Sequence, residues 1–158
     1  MDWYELQHRR MRGFARLAPD DRLLALRALA LLPLISLSIS LLGLLRVVAV
    51  LKRLSAASSP TLEAEEFVAA RRVARIVGKA ARHAGSHGSC LRASVVLWHL
   101  LAARGISSEL RIGVRKPSES SLDAHAWVEV QGQPVNDDPD VSVRYLPLPG
   151  LSEALKIS

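Results

Sequence analysis

The sequence predicts an α+β fold in which a block of helices precedes an antiparallel sheet. Two observations lead to it. Up to Gly105 the apolar residues repeat at helical spacing. From Leu110 the period shortens to two, with Leu110, Ile112 and Val114 alternating with Arg111, Gly113 and Arg115. Helices in a run followed by strands in a run give α+β, whereas a doubly wound parallel sheet needs the two to alternate. At 158 residues the chain is read as one domain with a modest core.

Two regions are expected: residues 1–59, basic, leucine-rich and helical, and residues 60–158, the core. The formal net charge is +6. Residues 1–60 hold nine Arg/Lys against four acids, and residues 61–158 twelve against eleven, so the basic character belongs to the first third. No nucleic-acid motif or aromatic interleaving accompanies it, and no nucleic-acid partner is expected. An acidic peptide, a partner protein or an anionic lipid surface fits such a charge at least as well.

Asp20 and Asp21 follow Pro19 and open a helix, with acids at the positive end of its dipole. Ala28 to Leu45 is a run of eighteen residues without a charge, the lower limit for a membrane span. Pro33 interrupts it, Ser36, Ser38 and Ser40 add polar groups, and Arg27 and Arg46 close it tightly. The expectation is therefore two shorter helices joined near Pro33, burying their leucines in the domain or against a partner. Peripheral membrane contact through residues 20–54 is the second expectation and a true span the third. The late apolar run and the lack of a small-residue cleavage site argue against a secretory signal. A lone cysteine cannot form an intramolecular disulfide, and the expected location is the cytoplasm.

Ser55 to Pro60 reads as a linker, with Ser59 capping the next helix, Pro60 at its first position and Glu63, Glu65 and Glu66 near its positive end. Ala69, Val73, Ile76, Val77 and Ala80 form its buried stripe, and Arg71, Arg72, Arg75 and Lys79 are read as a solvated face. A second apolar helix begins at Cys90 and ends near Gly105, a natural left-handed cap. Strands are expected over 110–115, 124–130 and about 133–137, with a fourth over Val141–Leu146, before Pro147 and Pro149 stop regular pairing. On the second strand His125, Trp127 and Glu129 share one face, and Ala124, Ala126, Val128 and Val130 the other.

Cys90 is the only cysteine. A cysteine in the first turn of a helix faces unpaired N–H groups and the positive dipole end, both of which favour thiolate. With His125 and then Asn136-Asp137-Asp138 downstream, nucleophile, base and orienting acid follow in that order. If Val130-Gln131-Gly132 is a three-residue hairpin loop, Glu129 faces Gln133 and His125 faces Asp137. A two-residue loop would set His125 against Asp138, the runner-up. The Cys90 N–H is a natural oxyanion donor. One cysteine offers too little thiolate for a zinc site, the five histidines lack ligand spacing and there is no phosphate-binding loop, so no metal, nucleotide or other cofactor is expected.

These residues resemble the transglutaminase-like leader peptidases of lasso-peptide biosynthesis, the B-protein peptidase domain. The matching pieces are Cys90-Leu91-Arg92-Ala93-Ser94, Leu97 to Leu101 with Gly105, Leu110 to Val114, Ala124-His125-Ala126-Trp127-Val128-Glu129, Gly132 and Pro134-Val135-Asn136-Asp137, covering about residues 60–146. The resemblance implies a papain/transglutaminase-like core, with the Cys-bearing helix packed on the sheet. It also implies removal of the leader from a ribosomally made precursor peptide, with Cys90 as nucleophile, His125 as base and Asp137 as orienting acid. Cleavage would free the core peptide's N-terminus for a separate, ATP-dependent lasso cyclase. Residues 1–60 read as apolar helices, leaving no room for the winged-helix recognition domain of many relatives. A separate leader-recognition protein is therefore an expected partner. The alternatives are an acyl transferase or another cysteine hydrolase using the same acyl-enzyme, and a non-catalytic adaptor that docks through residues 20–54.

Overall fold

The computed structural model describes residues 18–54, 63–84, 90–115, 123–148 and 156–157. The linker at 55–60 with its Ser59 cap, the loop at 116–122, and residues 1–17, 87–89 and 149 fall outside them. In chain order the elements are α1 (Pro19–Leu42), α2 (Leu44–Leu54), α3 (Glu63–His83), α4 (Cys90–Ala102), β1 (Ser108–Arg115), β2 (Asp123–Val130), β3 (Gln133–Pro134), α5 (Val141–Arg144), β4 (Leu146–Pro147) and β5 (Lys156–Ile157). The α+β order read from the sequence is the one observed.

Helix α1 opens as expected, with Asp20 and Asp21 in its first turn. The expected break at Pro33 is not there. The helix runs through Pro33, and the chain instead breaks at Gly43, whose φ of 80° is open to glycine. The serines do not interrupt it either, because Ser38 and Ser40 donate to the carbonyls of Leu34 and Ser36 one turn back, at 2.9 and 3.0 Å. By length and composition α1 could cross a membrane. Its inner stripe of Leu24, Ala25, Ala28, Leu32 and Ile35, however, is buried in the domain core. Its outer stripe, including Leu23, Leu26, Leu34, Leu37 and Leu41, is exposed.

Helix α4 is the centre of the fold. It packs on α1, α3, β1 and β2, and from Ser94 to Ala102 it is apolar on nearly every side, as an enclosed helix requires. Val95, Val96, Leu97, Trp98, Leu100 and Leu101 are all buried. Burying each such side chain is worth about 1.5–3 kcal/mol. The helix ends in a Schellman motif: the Ile106 N–H donates to Leu101 O and the Gly105 N–H to Ala102 O, with Gly105 at φ 74°. Helix α3 supplies Val73, Ile76, Val77 and Ala80 to the core as expected, but its stripe starts at Ala70, with Ala69 exposed.

The sheet has the order β3-β2-β1-β4, and β5 pairs with β1 at the end away from β4. All pairs are antiparallel. The two faces of β2 divide as the alternation predicts. Val128 and Val130 join the helical core, whereas Trp127 packs with Val141 and Tyr145 on the other side. The expected fourth strand is a correction: Val141–Arg144 is a short helix, closed by Tyr145 N–H to Val141 O, and only Leu146–Pro147 pairs with β1. That turn folds Tyr145 back onto Trp127, a burial that an extended segment would not achieve.

Candidate active site

Cys90 begins α4 and is partly exposed on a cleft of about 610 Å³. His125 and Asp137 line the same cleft, so the three residues expected from sequence are brought together. The imidazole Nε2 of His125 lies 2.5 Å from Asp137 Oδ2. Nδ1 is thereby left as the ring nitrogen for a thiol partner.

The route to this pairing differs from the expected one. The β2–β3 loop has two residues, Gln131 and Gly132, both at positive φ (53° and 72°), and Val130 faces Gln133. The three-residue hairpin is thus incorrect. Strict continuation of the observed register would place Asp138 opposite His125. It does not continue, because the third strand is only Gln133–Pro134 and not 133–137. The Val135 N–H donates to Val128 O, but the return bond from the Val128 N–H goes to the side-chain Oδ1 of Asn136 at 2.8 Å. An amide side chain has replaced a ladder carbonyl. The chain leaves the sheet there, and Asp137 swings over the imidazole.

Asp137 is then held on its other oxygen. Oδ1 accepts from the Asp138 N–H at 2.9 Å and from Arg144 at 3.2 Å. Asp138 also meets Arg144, at 3.4 Å, but its side chain is 79% exposed against 17% for Asp137. Partners on both oxygens keep the Asp137 carboxylate in one orientation.

His125 is also walled by aromatics. Its ring lies 4.9 Å from that of Tyr145 and stacks at 6.2 Å with Trp127. The Trp127 N–H donates to buried Glu129 at 2.8 Å, Glu129 accepts from Arg111 at 3.0 Å, and Arg111 pairs with Glu109. Tyr145 donates to Asp123 Oδ2, a bond to a carboxylate that raises the phenol pKa above its ordinary value. Arg115 pairs with the same carboxylate and lies over the Tyr145 ring. Gly113, paired with His125 across β1 and β2, makes room for this wall: a Cβ there would sit 2.9 Å from Tyr145 Cβ and 3.0 Å from the Trp127 ring.

Sequence reasoning missed the tie between the two walls. Ser94, one turn after Cys90 and fully buried, donates to the Ala126 carbonyl at 2.9 Å and accepts from Asn136 Nδ2 at 3.0 Å. The signal was a hydroxyl in an otherwise apolar stretch. Arg71, Arg72, Arg75 and Lys79 are exposed, as the solvated-face reading expects, but that face also borders the site. Arg72 pairs with Asp21 of α1, whereas Arg71, Arg75 and Lys79, joined by Arg82, line the cleft.

A partly exposed thiol at a helix N-terminus, an imidazole on the same cleft and a carboxylate fixing that imidazole form an arrangement suited to acyl transfer through a thioester. No match emerges among curated proteins or solved structures. A family model described as the transglutaminase-like superfamily matches residues 28–149, from within α1 to beyond β4. This span includes all three site residues. Cysteine peptidases and acyltransferases are the activities typical of that group, and the chain belongs to the transglutaminase-like superfamily.

Proposed function

We propose that this protein is a cysteine peptidase that removes the leader from a ribosomally synthesised lasso precursor peptide. The observation that carries the reading is the His125–Asp137 bond on a cleft shared with Cys90 at the start of α4. The Cys90 thiolate attacks the scissile carbonyl, and the oxyanion that forms is within the reach of the Cys90 backbone N–H. His125, as imidazolium steadied by Asp137, gives its proton to the leaving amine. The thioester remains on Cys90. Neutral His125 then takes a proton from water, the hydroxide adds to the thioester, and the leader acid departs from the regenerated thiolate.

Incubating a precursor peptide with the protein and a separate leader-recognition protein, with mass spectrometry of the products, tests this reading. Leader and core fragments are expected, and Cys90→Ala or His125→Ala, still folded, gives neither. A ligated product in place of two fragments would assign the chain to acyl transfer, the other chemistry of its family. Normal cleavage by Cys90→Ala would end both. The released core would pass to a separate lasso cyclase.

The exposed leucines of α1, with Lys52 and Arg53 in the last turn of α2, support peripheral membrane contact through residues 20–54 of a protein working in the cytoplasm. Sedimentation with anionic vesicles, and its loss in Leu34→Ser/Leu41→Ser, is the corresponding test.

A further inference from the structure

One side of helix α3 carries four of its five cations at spacings of four, four and three: Arg71, Arg75, Lys79 and Arg82. All four line the cleft that holds Cys90 and His125. None of them is in an ion pair among the described residues. The contacts that are resolved leave their charges unneutralised. Arg71 lies over the Phe67 ring, and only the backbone carbonyl of Lys79 is engaged, by His83. The acids on the opposite wall, Asp137 and Asp138, are already bonded to His125 and Arg144. The cleft therefore presents net positive charge along one side.

From Arg71 to Arg82 the helix rises about 16 Å. An extended peptide covers that distance in about five residues. Gly78 sits in the middle of this wall and also lines the cleft, lowering the helix surface between the cations.

We propose that the cationic face of α3 is a specificity surface that binds a glutamate- and aspartate-rich stretch of the substrate peptide beside the scissile bond. The proposal rests on the peptidase reading for its substrate, but the surface can be tested without turnover. A guanidinium or ammonium facing a carboxylate in a partly enclosed cleft makes a charge-assisted bond that an amide isostere cannot match.

The test uses the full chain as Cys90→Ala, with fluorescence anisotropy of a labelled glutamate-rich peptide and of its glutamine isostere. The glutamate peptide is expected to bind about tenfold or more tightly at low salt, the gap narrowing as the Debye length shrinks. Arg75→Glu/Lys79→Glu should reverse the preference toward a lysine-rich peptide, and the single changes Arg75→Gln and Lys79→Gln should each weaken it if the double variant does not fold. Equal binding of the two peptides, or a preference unchanged in folded variants, overturns the proposal. A parallel assay with wild-type protein, the leader-recognition protein and precursor peptides carrying either glutamates or glutamines beside the scissile bond separates the two ideas. Acid-selective binding without Cys90-dependent cleavage keeps the surface and removes the peptidase. Cleavage indifferent to acidic residues does the reverse.

Discussion

Ser94 on α4 donates its hydroxyl to the backbone carbonyl of Ala126 on β2, the residue next to His125. Because Ser94 lies one turn beyond Cys90, this bond sets the helix of the thiol against the strand of the imidazole. Asn136 completes it by bonding both Ser94 Oγ and the Val128 N–H. Ser94→Ala would leave the Ala126 carbonyl without this donor in a buried setting. We expect a loss of about 1–3 kcal/mol in urea unfolding. Cleavage should fall as well, through misplacement of His125.

The two neighbouring aspartates are distinguishable. Asp137→Asn removes the charge bonded to His125 and should lower the cleavage rate about a hundredfold or more. Asp138→Asn, at an exposed side chain, should change it only about twofold. Steady-state kinetics on one precursor compares them, and equal losses would contradict the geometry.

Gly113→Ala places a methyl group 2.9 Å from Tyr145 Cβ. The wall behind His125 must shift, and a destabilisation of about 1–3 kcal/mol is expected. Thermal unfolding followed by tryptophan fluorescence measures it. An unchanged midpoint would show that Tyr145 can yield freely.

His99 is partly buried on α4, and its Nδ1 has no hydrogen-bond partner among the described residues. Burial pushes its pKa below the ordinary imidazole value. The unfolded chain therefore binds more protons between the two values, and stability rises with pH through that window. This contribution is complete above about pH 6.5 and is lost as pH falls through the folded-state value. Urea unfolding of wild type and His99→Leu at about pH 7.5 and about pH 5.5 should show the smaller pH dependence in the variant.

The change of period at Leu110 made the helix-then-sheet order legible, since periodicity depends only on which residues each element buries. Cys90, His125 and Asp137 were legible as chemistry. The reason for Asp137 was not: a loop count pointed to it through a hairpin that does not form, and the real cause is Asn136 leaving the ladder. No pattern of apolar residues encodes one side-chain bond. The continuity of α1 was hidden for a similar reason, because Pro33 has a large intrinsic penalty that packing of Leu32 and Ile35 overrides. Val141–Leu146 alternates like a strand, but the burial of Tyr145 against Trp127 decided its path.

The two-sidedness of α1 bears on where the chain can be shortened. Leu24, Ala28, Leu32 and Ile35 cover α3 and α4, and Arg92, two residues after Cys90, donates to Ser36 at 2.8 Å. A truncation beginning at residue 60 would uncover apolar surface beside the helix that carries Cys90 and remove an anchor of its first turn. Helix α1 and the Cys90 helix thus share one core, and an expression boundary belongs before Pro19.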